Sequence, residues 1–350
     1  MPPVINPTSK ILLPVRDYDL AATLDSGQVF RWRQERGRPA SEFQFSIRAG
    51  GPPALLDSWI GVVGRNFVRL TQIKDGILAE TAGPVADWQW LRDFLQTETN
   101  LAAVLKTFPD DGPMRAAVAA CRGLRVLRQE PWECLASFIL SSTKQIVQIR
   151  QIISLLCERF GDPLTLTLSP SDGAREQQSM LAHDSVAPGL PTGCRQFPLS
   201  PTGGERAGVR GNLFHSFPSP EKIASLAESD LRACKMGFRA PSLLAAARQI
   251  AEGKLDLEKV RSLPLPEARA ELMKLRGVGG KIADCVLLFA YGFDSAFPVD
   301  VWVERALQQL YFPRRRASEK RLRNFAATHF GPHAGYAQQY LFHYMRTKLK

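Results

Sequence analysis

The sequence predicts an α+β protein. An N-terminal domain built on an antiparallel β-sheet, residues 1–120, precedes a C-terminal all-α region, residues 121–350. Three observations carry this prediction. Apolar and polar residues alternate with period two in the first third, and they recur at helical spacing in the rest. A chain of 350 residues is also long enough for two or three domains, each with its own core.

In the first third, FQFSIRA (43–49) alternates as a half-buried strand does. WIGVVGRNFVRLTQI (59–73) reads as two strands with a turn near Gly64 and Asn66. VADWQWLRDFLQ (85–96) reads as a helix. Residues 130–161 carry a long helical pattern, divided near Ser141-Ser142 and ended by Gly161. Residues 163–211 break the pattern. They hold seven glycines and six prolines, and LSPSDG (168–173) returns as LSPTGG (199–204). A patternless stretch of this length reads as a disordered surface insertion into the helical region. Helical pattern resumes behind Ser219 and Pro220, an N-cap and first-turn pair. It continues through 240–253, 265–275, 280–291 and 300–311 to the C-terminus.

The net charge of +11 suits a polyanionic partner, nucleic acid before an anionic membrane surface. No apolar run reaches membrane-spanning length, and MPPVINPTSKILLP lacks the features of a signal peptide. An intracellular protein is expected, in the cytoplasm or nucleoid of a prokaryote or the nucleus of a eukaryote. The six cysteines are scattered with no CxxC pair, which argues against a zinc site, an iron–sulfur cluster or a disulfide framework.

LRGVGGKIADC (275–285) places a short glycine turn between two predicted helices. Its glycines suit a tight αα turn. They equally suit a helix-hairpin-helix, in which the N–H groups of Gly277, Val278 and Gly279 grip a phosphate. A nucleotide-binding P-loop fits poorly, because Leu275 and Ile282 stand where a glycine and a Ser or Thr belong. Lys281 opens the second helix, where the helix dipole disfavours positive charge. It can be a surface contact to phosphate, or a neutral amine that attacks a sugar carbon and forms a Schiff base. Asp300, nineteen residues on, sits where an N-cap belongs. Near Lys281 its carboxylate would also orient or deprotonate the amine.

The stretch LRGVGGKIADCVLLFAYGFDSAFPVDVWVERAL (275–307) resembles the helix-hairpin-helix, Gly/Pro and aspartate signature of DNA glycosylases. More narrowly it is similar to 8-oxoguanine DNA glycosylases of the eukaryotic type. LDSGQVFRWRQ (24–34), RQEPWECLASFILSS (128–142) and GPHAGYAQQYLF (331–342) match in the same order. The resemblance implies a glycosylase/AP lyase acting as a monomer on damaged double-stranded DNA, with no cofactor, no metal and no membrane partner. It implies Lys281 as nucleophile on C1′ and Asp300 as its assistant. The flipped base would lie between Cys285 and Phe342, with Gln338 on its Watson–Crick edge. The Gly27 carbonyl would accept the N7–H that 8-oxoguanine has and guanine lacks.

Around the orphaned partner base the resemblance implies Arg239 as a reader and Phe238 as a wedge. Here the sequence departs from the family. Thr143 replaces the gap-filling asparagine, Gln148 replaces a second arginine, and Trp302 replaces a histidine. Weaker preference for cytosine opposite the lesion is therefore expected. Two other readings remain. Iron–sulfur glycosylases of the superfamily need cysteines that do not follow Cys285, and alkylated-base glycosylases usually lack the lysine. A non-catalytic DNA-binding module is the alternative from a different class.

Overall fold

The computed structural model describes residues 9–39, 55–142, 145–164, 215–314 and 316–348. The expected strand at 43–49, the insertion and Thr143 lie outside the described residues. Five strands, β1 (Ser9–Pro14), β2 (Arg33–Pro39), β3 (Leu55–Val63), β4 (Asn66–Ile73) and β5 (Gly76–Thr81), form one antiparallel sheet in the order β1-β5-β4-β3-β2. The expected hairpin is present. Val63 pairs with Asn66 across a two-residue turn, and Gly64 takes the positive φ of 59° that such a turn requires.

The strands bury both faces unequally. Val68, Leu70, Ile77 and Ala79 pack against two helices, α1 (Leu20–Asp25) and α2 (Gln89–Leu95). Arg69 instead pairs with Glu35 at 2.9 Å, and Lys10 with Glu80 at 3.0 Å. Period-two alternation thus gives one face to an apolar core and places these ion pairs on the other, beside buried Ile60, Val62, Phe67 and Leu78.

The next helices are α3 (Leu101–Leu105) and α4 (Gly112–Ala120). Both precede residue 120, yet Leu101, Val104, Met114 and Ala117 bury their side chains in the core of the helical body. Their apolar residues are too few for a recognisable period, so helix and partner are set by tertiary packing. The body continues with α5 (Pro131–Ser141), α6 (Ile146–Phe160), α7 (Pro220–Ala224), α8 (Glu228–Ala233) and α9 (Ala240–Ala251). Then come α10 (Leu257–Val260), α11 (Leu265–Leu272), α12 (Gly280–Val286), α13 (Val301–Tyr311), α14 (Glu319–His329) and α15 (Ala334–Lys348). The expected helix 280–291 is α12 plus a wider π-helical turn, Leu287–Tyr291.

The chain leaves the described body at residue 164 and returns at 215. Pro163 and His215 form an antiparallel bridge there, and Ser216 N–H donates to the Asp162 carbonyl at 2.9 Å. The two ends of the intervening segment are therefore neighbours. The five described cysteines are buried free thiols. No described helix is long and apolar enough to cross a membrane, and no described cluster of three His, Cys, Asp or Glu could hold a metal.

Candidate active site

α12 begins at the glycine turn. Gly277 adopts φ +82°, and a Cβ there would meet Ser242 Oγ at 2.7 Å, so the turn needs glycine. Gly279 caps α12 with no side-chain bond, which leaves first-turn N–H groups open to an external acceptor. Val278 does different work: its side chain is buried and its N–H donates to the Leu275 carbonyl at 3.1 Å. It anchors the turn. Arg269 on α11 reaches Asp284 on α12 at 2.6 Å and ties the two arms of the hairpin. Burial pushes the Asp284 carboxyl up to about 6 against the pull of that arginine.

Lys281, one residue into α12, looks into a cavity of about 590 Å³. Cys285 lies one helical turn further along the same face, and Phe289 follows from the π turn. The Lys281 ammonium lies 6.0 Å from the Phe138 ring centroid, and Phe138 stacks on Phe289 at 5.5 Å. Asp300 caps α13, accepting the Val303 N–H at 2.8 Å, and its carboxylate faces the same cavity. Burial holds the Asp300 carboxyl above its ordinary range; the Val303 N–H and the Lys281 charge pull it back. Burial likewise pushes the Cys285 thiol up to about 12, so it meets a ligand as a neutral thiol.

α15 supplies the opposite wall. Gln338 and Phe342 are one turn apart and both line the cavity. Gln338 is only 4% exposed, and its Oε1 has no hydrogen-bond partner. A buried, unpaired amide oxygen is costly unless a ligand donates to it. Gly27 completes the constellation with φ +82°. A Cβ on it would lie 3.4 Å from the Phe342 ring and 3.2 Å from Ile146. Its neighbours hold it rigidly. Gln28 Nε2 donates to the Arg125 carbonyl at 2.7 Å, Leu127 N–H donates to Gln28 Oε1 at 2.8 Å, and Gln339 Nε2 donates to the Ser26 carbonyl at 3.0 Å.

Six sequence-predicted residues, Gly27, Lys281, Cys285, Asp300, Gln338 and Phe342, thus line one cavity, and Trp302 joins them. Gly277, Val278, Gly279, Phe238 and Arg239 do not line it. Phe238 is 68% exposed, with the Arg239 guanidinium 4.2 Å from its ring. Gln148 is engaged in capping α6, its Oε1 accepting the Gln145 N–H at 3.3 Å. Asp25, Arg150 and Arg346 also line the cavity. Asp25 lies in the matched stretch 24–34, but no motif points to Arg150 or Arg346, because the proximity of the three arises only when α1, α6 and α15 converge.

Residues 10–135 match the 8-oxoguanine DNA glycosylase N-terminal domain, and residues 206–331 match the HhH-GPD superfamily base excision DNA repair protein family. A probable N-glycosylase/DNA lyase of Methanothermobacter thermautotrophicus is 27% identical over 95% of each chain. The N-glycosylase/DNA lyase OGG1 of Arabidopsis thaliana is 26% identical over 92% of this chain and 76% of its own. The solved 8-oxoguanine glycosylase/lyase of Clostridium acetobutylicum, in complex with double-stranded DNA containing cytosine opposite 8-oxoG, is 26% identical. It superposes with a TM-score of 0.73 over 97% of this chain and 99% of that one. With the two regions matched in this order and relatives alike over nearly the whole chain, the chain belongs to the 8-oxoguanine DNA glycosylases of the HhH-GPD superfamily of base excision DNA repair proteins.

Proposed function

We propose that the chain is a bifunctional glycosylase/AP lyase that excises 8-oxoguanine from duplex DNA, with Lys281 as its nucleophile. The observation that carries this is the convergence of Lys281, Asp300, Gly27, Cys285, Gln338 and Phe342 on one cavity large enough for an everted nucleotide. The base enters between the Cys285 thiol and the Phe342 ring. Gln338 Oε1 accepts from its Watson–Crick edge, and the Gly27 carbonyl accepts its N7–H. Guanine would bring a lone pair to that carbonyl and be repelled.

The Lys281 amine attacks C1′ with its lone pair as the glycosidic bond breaks, and the departing base takes up a proton. The Asp300 carboxylate stabilises the positive charge that develops on the sugar. Ring opening yields the imine. Loss of a C2′ proton then expels the 3′ phosphate and nicks the strand. The glycine turn at 277–279 and the exposed Phe238 would meet the backbone and the opened base step. The monomer is the working unit, and it acts wherever the cell keeps its duplex DNA.

The test is borohydride trapping on a duplex with one 8-oxoguanine opposite cytosine. Wild type should form a covalent complex and Lys281→Gln should not, with excision reduced roughly 10³-fold or more. Trapping by Lys281→Gln would overturn the assignment. Gln148 is tied into the α6 cap. Excision opposite adenine should therefore approach that opposite cytosine, and a strong cytosine preference would count against this reading.

A further inference from the structure

Four residues of α15 line the cavity, Gln338, Gln339, Phe342 and Arg346, and three of them, 338, 342 and 346, fall one turn apart on a single face. Gln338 is buried, while Phe342 and Arg346 are partly exposed. They offer a buried amide that suits a base edge and, both partly exposed, a ring that suits a base face and a guanidinium. The Arg346 guanidinium is 5.4 Å from the Phe342 ring centroid. Burial lowers its affinity for the proton, against the pull of the Asp25 and Asp300 carboxylates. A base inserted to Gln338 must leave its sugar and phosphates at the level of Arg346.

A second arginine converges on the same level from α6. Arg150 Nη2 donates to Asp25 Oδ1 at 2.8 Å, and Arg346 Nη1 donates to the Asp25 carbonyl at 3.2 Å. Asp25 thus holds both guanidiniums, Arg150 through its carboxylate and Arg346 through its main-chain carbonyl. Each guanidinium carries five N–H donors. Arg150 Nε has no hydrogen-bond partner. Planar forks with spare donors match the oxygens of a phosphodiester.

We propose that Arg150 and Arg346, held by Asp25, clamp a phosphate flanking the everted nucleotide and so set the depth at which C1′ meets Lys281. This rests on the glycosylase reading above. The pair are positioning residues. They act on the backbone and are indifferent to the identity of the base.

The test replaces each of the two phosphates flanking the lesion, in turn, by a neutral methylphosphonate. Single-turnover excision is measured for wild type, Arg346→Gln and Arg150→Gln. Binding is measured in parallel to a duplex carrying a tetrahydrofuran abasic analogue. On unmodified DNA each variant should lose about 10- to 100-fold, and its log–log salt slope should fall by about 1. At one of the two positions the methylphosphonate should weaken wild type by a similar factor and weaken the variants no further. Wild-type indifference to both replacements, or losses that simply multiply, would overturn the clamp and leave the arginines as struts for Asp25. Absence of wild-type excision on unmodified DNA would instead overturn the glycosylase reading, while the binding arm still decides the clamp.

Discussion

The Asp300 carboxylate accepts the Val303 N–H at the start of α13 and faces Lys281 across the cavity. Its capping role and its proposed catalytic role separate by substitution. Asp300→Asn keeps an N-cap acceptor and loses the charge, so thermal stability should hold while excision falls about 100-fold. Asp300→Ala should lose excision and also about 1 kcal/mol of stability. Equal destabilisation by both variants would show that the cap depends on the charge. Gly27 offers a second residue-level test. At φ +82°, with Ile146 and Phe342 in contact, Gly27→Ala should cost roughly 1–2 kcal/mol in denaturant unfolding. It should reduce 8-oxoguanine excision while sparing strand cleavage at a preformed abasic site. Parallel loss of both activities would remove the carbonyl from base discrimination. Lys281 and Asp300 were legible in the sequence because hairpin glycines and an N-cap aspartate leave local signatures. Arg150 and Arg346 were not. Each reads as an ordinary helix-surface arginine until Asp25 is brought between them.

Among the elements, the hairpin of α11 and α12 holds its shape through a partly buried ion pair as well as glycines. Asp284 titrates at about 6 rather than its ordinary 3.8, because burial outweighs Arg269. A carboxyl whose folded value is raised contributes stability below pH 4, and that contribution is lost as pH rises through about 6. Melts between pH 4 and 8 should therefore show Asp284→Asn gaining on wild type up to about pH 6–7 and running parallel above it. A constant offset across the range would sink this account. The strand pair β3–β4 was legible because alternation and a glycine turn coincide there. The π turn after α12 was not, because the apolar run continues unchanged through Leu287–Tyr291. Phe289 on that turn lines the cavity with Cys285, four residues before it.

At the scale of the whole molecule, the helical core reaches back across residue 120 to take in α3 and α4, whose short apolar patterns did not announce their partner. The bridge between Pro163 and His215 closes the body independently of what lies between them. Deleting residues 165–210 should change stability by no more than about 1 kcal/mol, a loop-closure effect, and leave excision intact. A protein that no longer folds would refute this. The same bridge marks a place where the chain can be divided. A fragment ending at residue 164 would carry Gly27, and one beginning at 215 would carry Lys281, Asp300, Gln338 and Phe342. Neither half owns a complete cavity, so repair of a lesion would itself report that the two halves had met.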